Sequence, residues 1–330
     1  MADIRRRRFL AAGAMLALAP RVTCAQLMQA PRVGVLMSLA KDDPETVARL
    51  TAFAAGLREL GWREADNIRV DYRFAGGDAQ RMPKAAKELL DLRPDVVLAS
   101  GTTAAVAFRN QTRSVPVVFV LVPDPVGVGL LRNLIRPEGN ITGIVNFDLS
   151  IASKWLQVLK QSAPAVEHVA VVFDASNPSW PAYLNAVEKS ARHFNVDVVP
   201  TIVHNAAELK RRVTTFAKEP NGALIVLTGP SFAKERELLI ALAAAHRLPA
   251  IYPYAYYAEG GGLMSYGIDV PNAHRQAASY IDQILKGKTP ADLPVQEPAK
   301  LELVINLKTA RAQGIRIPPS VRALAGRVID

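Results

Sequence analysis

The sequence predicts an α/β protein made of two similar Rossmann-like lobes, each a parallel sheet flanked by helices, joined by a three-segment hinge. Three observations lead there. From Arg32 onward, short β-branched runs alternate with segments of helical period, the pattern of βα units wrapped around a parallel sheet. The same plan returns about 130 to 135 residues later, an offset too long for a solenoid repeat and suited to a duplicated lobe. Half of the 330 residues are hydrophobic, enough for two separate cores.

In the first half, Val33-Gly34-Val35-Leu36 reads as a buried strand. Pro44 to Leu60 reads as a helix, with Asp43 as N-cap, Pro44 in the first turn and Gly61 after its end. Its apolar stripe is expected along Val47, Leu50, Phe53, Ala54, Leu57 and Leu60. Ile68, Val70, Tyr72 and Phe74 alternate with Arg69, Asp71 and Arg73, the period of a half-buried strand. A helix from Gln80 to Leu92, a strand at Asp95 to Ala99, a helix from Thr102 and a strand from Val115 to Val122 complete the series. In the second half, His168 to Phe173, Pro178 to Phe194, Val196 to Val199 and Ala223 to Leu227 answer these elements in order, and Arg247 to Ile251 echoes Ser114 to Val118. The expected boundaries are residues 31–145 plus 268–293 for lobe one and 146–267 plus 294–330 for lobe two, with hinge strands near 145, 268 and 294.

The N-terminus looks like an address. Arg5 to Arg8 precede Phe9-Leu10 and the small apolar run Ala11 to Ala19, a basic region and a short hydrophobic region. That run is far shorter than the roughly 20 residues needed to span a bilayer. Arg6-Arg7-Arg8-Phe9-Leu10 resembles a twin-arginine export core, with an ordinary Sec signal as the alternative. Cleavage is expected near Ala25. Cys24, the only cysteine, lies in this segment, so the mature chain has no cysteine for a disulfide or a thiolate cluster. A lipid anchor on Cys24 is a second option, although Arg21-Val22-Thr23 lack the residues of a lipobox. The formal charge of +10 falls to +6 after cleavage, with 35 basic and 29 acidic residues remaining. Lys and Arg are dispersed along helices without interleaved aromatics, which argues against a nucleic-acid partner.

Several motifs in fixed order carry a family resemblance: Gly101-Thr102-Thr103-Ala104-Ala105, Val115-Pro116-Val117-Val118-Phe119, Asp124-Pro125-Val126-Gly127, Asn140-Ile141-Thr142-Gly143, Gly262-Leu263-Met264, Ile284-Leu285-Lys286-Gly287 and Ile305-Asn306. Over residues 32 to 318 the chain resembles the ABC transporter substrate-binding family that includes tryptophan and tyrosine binders. The resemblance implies a type I periplasmic binding-protein fold and a solute receptor without chemistry of its own. One position departs from the pattern. Members that bind aromatic amino acids often carry His-Pro after the first strand, where this chain has Asp43-Pro44, which leaves the ligand open.

In parallel sheets, ligands sit beyond the carboxyl ends of the strands, where helix N-termini offer free amides and a positive dipole end. Ser38, Ser100, Gly101, Thr102 and Thr103 stand at such places in lobe one; Asn177, Ser179, Thr228 and Gly229 are their counterparts in lobe two. Each is also a plausible local cap or turn residue. Asp124 and Pro125 follow the fourth strand, able either to meet an ammonium group or simply to start a turn. Tyr252 and Tyr254 belong to a cluster with Tyr256 and Tyr257 in a chain of only eight tyrosines. If that segment is extended, Tyr252, Tyr254 and Tyr256 share one face and can wall an aromatic or aliphatic solute. Trp180 reads equally as a lid or as a surface residue. Gly260-Gly261-Gly262 lacks the Lys-Ser/Thr ending of a phosphate loop and reads as a turn, as does the sequon Asn140-Ile141-Thr142. The five histidines show no ligand spacing, and solvated structural roles account for them.

No catalytic residue, metal or cofactor is expected. The expected function is a monomeric periplasmic receptor that captures an amino acid or small carboxylate and hands it to an ABC permease and its ATPase. A ligand sensor for a membrane signalling protein shares every one of these features, and an exported α/β enzyme is a third possibility.

Overall fold

The structure is a computed structural model that describes residues 30–227, 229–297 and 300–330. The export signal and Cys24 lie outside the described residues, as does Thr228. Lobe one is a five-stranded, all-parallel sheet: β1 (Arg32–Met37), β2 (Arg69–Phe74), β3 (Val96–Ser100), β4 (Val117–Val120) and β5 (Ile141–Ile144), in spatial order β2-β1-β3-β4-β5. Helices α1 (Pro44–Glu59), α2 (Met82–Asp91) and α3 (Thr102–Gln111) connect successive strands. β3, β4 and β5 are buried throughout, as expected of strands covered on both faces. β2 is the sheet edge and shows a half-buried run instead of the expected alternation.

Lobe two has strands β6 (His168–Asp174), β7 (Asp197–Val203), β8 (Gly222–Val226), β9 (Ala250–Tyr252), β10 (Met264–Gly267), β11 (Glu302–Asn306) and β12 (Arg327–Ile329), ordered β12-β11-β10-β9-β8-β6-β7. Among the described strands only β10 and β11 pair antiparallel. Around it lie α4 (Ile151–Ser162), α5 (Trp180–Phe194), α6 (Ala206–Phe216), α7 (Pro230–Lys234), α8 (Arg236–Ala245), α9 (Ala255–Glu259), α11 (Leu307–Gln313) and α12 (Pro319–Leu324), while α10 (Val270–Leu285) crosses to lobe one. The order β7-β6-β8-β9-β10 repeats β2-β1-β3-β4-β5, so the duplication extends to a fifth strand. The spacing is less regular than the sequence pattern suggests, from 136 residues between Arg32 and His168 to 123 between Ile141 and Met264.

Three local readings are corrected. Asn140-Ile141-Thr142 is a turn only at Asn140, which donates through Nδ2 to Val115 O at 2.6 Å, while Ile141 starts β5 in register with Val117. Gly143 permits this pairing, since a Cβ there would lie 2.2 Å from Phe119 O. In α1 the buried residues are Thr46, Arg49, Phe53, Gly56 and Leu57, while Val47 is 54% and Leu60 38% exposed. The buried face is therefore rotated from the apolar stripe, because α10 packs along it. A Cβ on Gly56 would sit 2.7 Å from Arg275 O. Finally, His274 is fully buried within α10 and is not solvated.

The chain passes between the sheets three times: after β5 into α4, after β10 into α10, and after Gln296 into β11. α10 returns from lobe two to pack on α1, β3 and β4. Trp62 Nε1 donates to Asp282 at 2.8 Å and fixes its outer half. Val295 and Gln296 donate to Leu134 O and Gly143 O before the last passage. Among the described residues no helix is long and apolar enough to cross a membrane.

Candidate ligand-binding cleft

The carboxyl ends of β1 and β3 in lobe one face those of β6, β8 and β9 in lobe two across a small cavity. Ser38 follows β1 and is buried; its hydroxyl donates to Ser100 O. Ser100 ends β3, 1% exposed, with its Oγ 3.0 Å from His274 Nε2. His274 Nδ1 lies 2.9 Å from Val270 O. A carbonyl oxygen can only accept, so Nδ1 carries the hydrogen and Nε2 accepts from the Ser100 hydroxyl. Burial, reinforced by the nearby Arg49 charge, lowers the His274 pKa to about 3 and keeps the ring neutral. Both serine hydroxyls thus spend their hydrogens on the protein and present only lone pairs to the cavity.

Gly101 places the next element. It is the N-cap residue of α3 at φ +100°, and a Cβ there would meet Ser38 Oγ at 2.7 Å, so glycine alone fits. No side chain caps α3, which leaves its first amides and dipole end at the cavity wall. Thr103 lines the same wall, and its buried Oγ1 has no hydrogen-bond partner. Arg49 reaches the wall from α1. It is 4% exposed, its Nε has no partner, and its Nη2 stands 3.6 Å from Glu45 Oε2, beyond hydrogen-bond reach. An exposed arginine needs no explanation, but a guanidinium buried with open donor positions does.

From lobe two come Asn177, Gly229, Ala233, Tyr254 and Tyr256. Tyr254, the N-cap residue of α9, accepts at its hydroxyl from Asn146 Nδ2 at 2.9 Å, which ties it to the passage after β5. Burial raises its pKa to about 12. A Cβ on Gly229 would collide with Asp174 at 2.3 Å. At the rim, Arg236 of lobe two meets Asp43 of lobe one, Nη1 to Oδ2 at 2.7 Å, while Asp43 Oδ1 accepts from the Glu45 amide. The expected N-cap is therefore also half of a bridge across the cleft.

Of the residues singled out in the sequence, the cavity gathers Ser38, Ser100, Gly101, Thr102, Thr103, Asn177, Gly229 and Tyr254. Tyr256 joins them, Thr228 lies outside the described residues, and Asp124, Pro125, Ser179 and Tyr252 do not line it. Asp124 holds a turn by accepting from Gly127 N at 2.8 Å, and Pro125 O accepts from Leu130 N at 2.8 Å in the same loop. Ser179 is buried at the start of α5, where its amide donates to Asn177 Oδ1 at 3.1 Å. Tyr252 is 1% exposed and stacks on Tyr257 at 4.8 Å. The three tyrosines do not share a face, because β9 ends at Tyr252 and Tyr256 lies in α9. Trp180 is a packing residue, stacked on Phe173 at 4.5 Å. Sequence reasoning does not single out Arg49, and an arginine six residues into a helix resembles any solvated charge. One signal is available: Arg49 and Thr46 share a helical face with Phe53, Gly56 and Leu57.

Two lobes that wall one cavity from opposite sides, with their strand ends facing and three passages between them, make the class of protein that takes a small solute into a cleft. The chain belongs to the ABC transporter substrate binding protein family, whose model matches residues 33–329. It is 26% identical over 266 residues to the tyrosine-binding protein of Clostridioides difficile, covering 79% of this chain and 74% of that one. The structure is similar to an ABC domain from Streptococcus pneumonia in complex with L-Trp, with a TM-score of 0.84 and 26% identity, covering 91% of this chain and 99% of that one. A conserved domain protein from Vibrio cholerae gives a TM-score of 0.85 at 27% identity with the same coverage.

Proposed function

We propose that the protein is a periplasmic receptor that closes on one small organic acid, an amino acid or another small carboxylate, and delivers it to an ABC permease and its ATPase. The carrying observation is the buried Arg49 guanidinium with open donor positions beside the uncapped start of α3. A carboxylate there gains charge-assisted hydrogen bonds to Arg49, the Thr103 hydroxyl and the α3 amides. The relatives that bind tyrosine or L-Trp support a small organic acid, and the arginine-rich N-terminus supports export, with the mature chain acting as a monomer. Leu39, Leu121 and Ala233 give the rest of the solute an apolar surface.

A catalytic reading of Ser100 and His274 has little support. The histidine is oriented by a backbone carbonyl where a catalytic pair has a carboxylate, and a ring that protonates at about 3 is a poor general base at neutral pH. The test is a thermal-shift screen of the mature protein against amino acids and organic acids. One or a few carboxylates should raise Tm with single-site saturation; a folded protein that responds to none refutes the receptor reading.

A further inference from the structure

Charges around the cleft narrow the solute further. Among the described residues that line the cavity, Arg49 is the only charged one. No acid among the described residues lines the cavity, and those nearby have partners of their own. Asp43 holds Arg236 and the Glu45 amide. Asp174, 2% exposed, accepts from the amide and hydroxyl of Ser176 on Oδ1 and from those of Ser231 on Oδ2. Glu45 flanks Arg49 at 3.6 Å, and Asp124 is tied to its turn at Gly127. A zwitterion bound here would place its ammonium in a small cavity lined by a guanidinium and by no described carboxylate, with Glu45 already paired to that guanidinium, and that costs far more than it gains. Ser38 and Ser100, with hydrogens committed to Ser100 O and His274 Nε2, still offer lone pairs to a neutral donor.

We infer that the ligand is a carboxylate whose second polar group is a neutral hydrogen-bond donor such as a hydroxyl, and that the cleft selects against an α-ammonium group. The inference rests on the receptor reading above and deepens it. The donor occupies the Ser38–Ser100 wall while the carboxylate meets Arg49, Thr103 and the start of α3. An asymmetric charge pattern of this kind discriminates by the penalty it imposes on the wrong partner.

The experiment is isothermal titration at pH 7.5 with matched pairs differing only in the α-substituent: indole-3-lactate against L-tryptophan, 4-hydroxyphenyllactate against L-tyrosine, and 2-hydroxyisocaproate against L-leucine. The hydroxy acid of at least one pair should bind at least ~10-fold tighter than its amino acid, the factor expected for leaving one buried charge unpaired. In Arg49→Gln that hydroxy acid should bind at least ~30-fold more weakly. Thr103→Val, isosteric and free of charge effects on folding, should weaken it by ~3- to 10-fold. An amino acid that binds as tightly as its hydroxy acid or tighter overturns this inference and leaves the receptor reading standing. Unchanged affinity in both variants overturns the anion site. Failure of every pair to bind a folded protein overturns both readings together.

Discussion

Replacing Asp43 by Asn removes the charge that Arg236 meets across the cleft while keeping the helix cap, because the Asn carbonyl can still accept from the Glu45 amide. The pair lies at 2.7 Å with side chains 12% and 21% exposed, and Arg236 Nη1 is also held by Ala233 O at 2.7 Å. It stands between an exposed ion pair, worth at most about 1 kcal/mol, and a buried one, whose disruption costs about 3–5 kcal/mol. A coupling of about 1–2 kcal/mol follows, and if the bridge exists only when the lobes are closed, that energy enters ligand affinity directly, as about 5- to 30-fold in Kd. The assay is a double-mutant cycle by titration calorimetry with Asp43→Asn, Arg236→Gln and the double variant. The bridge predicts that either single change weakens binding and that the second adds little. It also predicts that the difference shrinks at high salt. A coupling energy under about 0.3 kcal/mol, or losses that appear in Tm but not in Kd, would refute the idea that this pair helps hold the closed form.

Two further outcomes follow from the fold. The His274 pKa is lowered to about 3 in the native state, against about 6.5 in an unfolded chain. As pH falls below 6.5 the unfolded state takes up the proton first, so stability present above that value is lost toward acid. Urea denaturation should show about 2 kcal/mol of this loss between pH 7.5 and 5, and His274→Gln should flatten that part of the slope; identical slopes would mean that the ring is not held neutral. Gly267 ends β10, where an added Cβ would lie 1.8 Å from Pro253 O. Gly267→Ala must move backbone and should cost about 1–3 kcal/mol, lowering Tm by about 2–5 °C, and a Tm equal to that of the parent would show that the passage into α10 has slack.

The fold was legible because its signals are local and repeated. Buried parallel strands such as β3 and β8 are unbroken β-branched or aliphatic runs, and Asp43-Pro44 marks a helix start by cap chemistry alone. The cleft was legible where it follows from strand ends, hence Ser38, Ser100, Gly101 to Thr103, Asn177 and Gly229. What was hidden depends on contacts distant in sequence. Arg49 and His274 are 225 positions apart in the chain, and only the docking of α10 on α1 turns both inward. The same docking rotates the buried face of α1 away from Val47 and toward Thr46. Tyr252 and Tyr254 look equivalent in sequence, yet the change from β9 to α9 between them sends one into the core and the other to the cavity. Asp124 was ambiguous, and a single hydrogen bond to Gly127 keeps it in its own turn.

The central claim is that a ligand carboxylate sits on lobe one, against Arg49 and the start of α3, with lobe two closed over it. A crystal structure of the mature protein with the carboxylate that gives the largest thermal shift tests this directly. The account predicts carboxylate oxygens within hydrogen-bond distance of the Arg49 guanidinium and Thr103 Oγ1, with Tyr254 and Ala233 of lobe two over the remainder of the solute. A ligand bound outside this cleft, or with its carboxylate turned toward lobe two and Arg49 left unpaired, would contradict it.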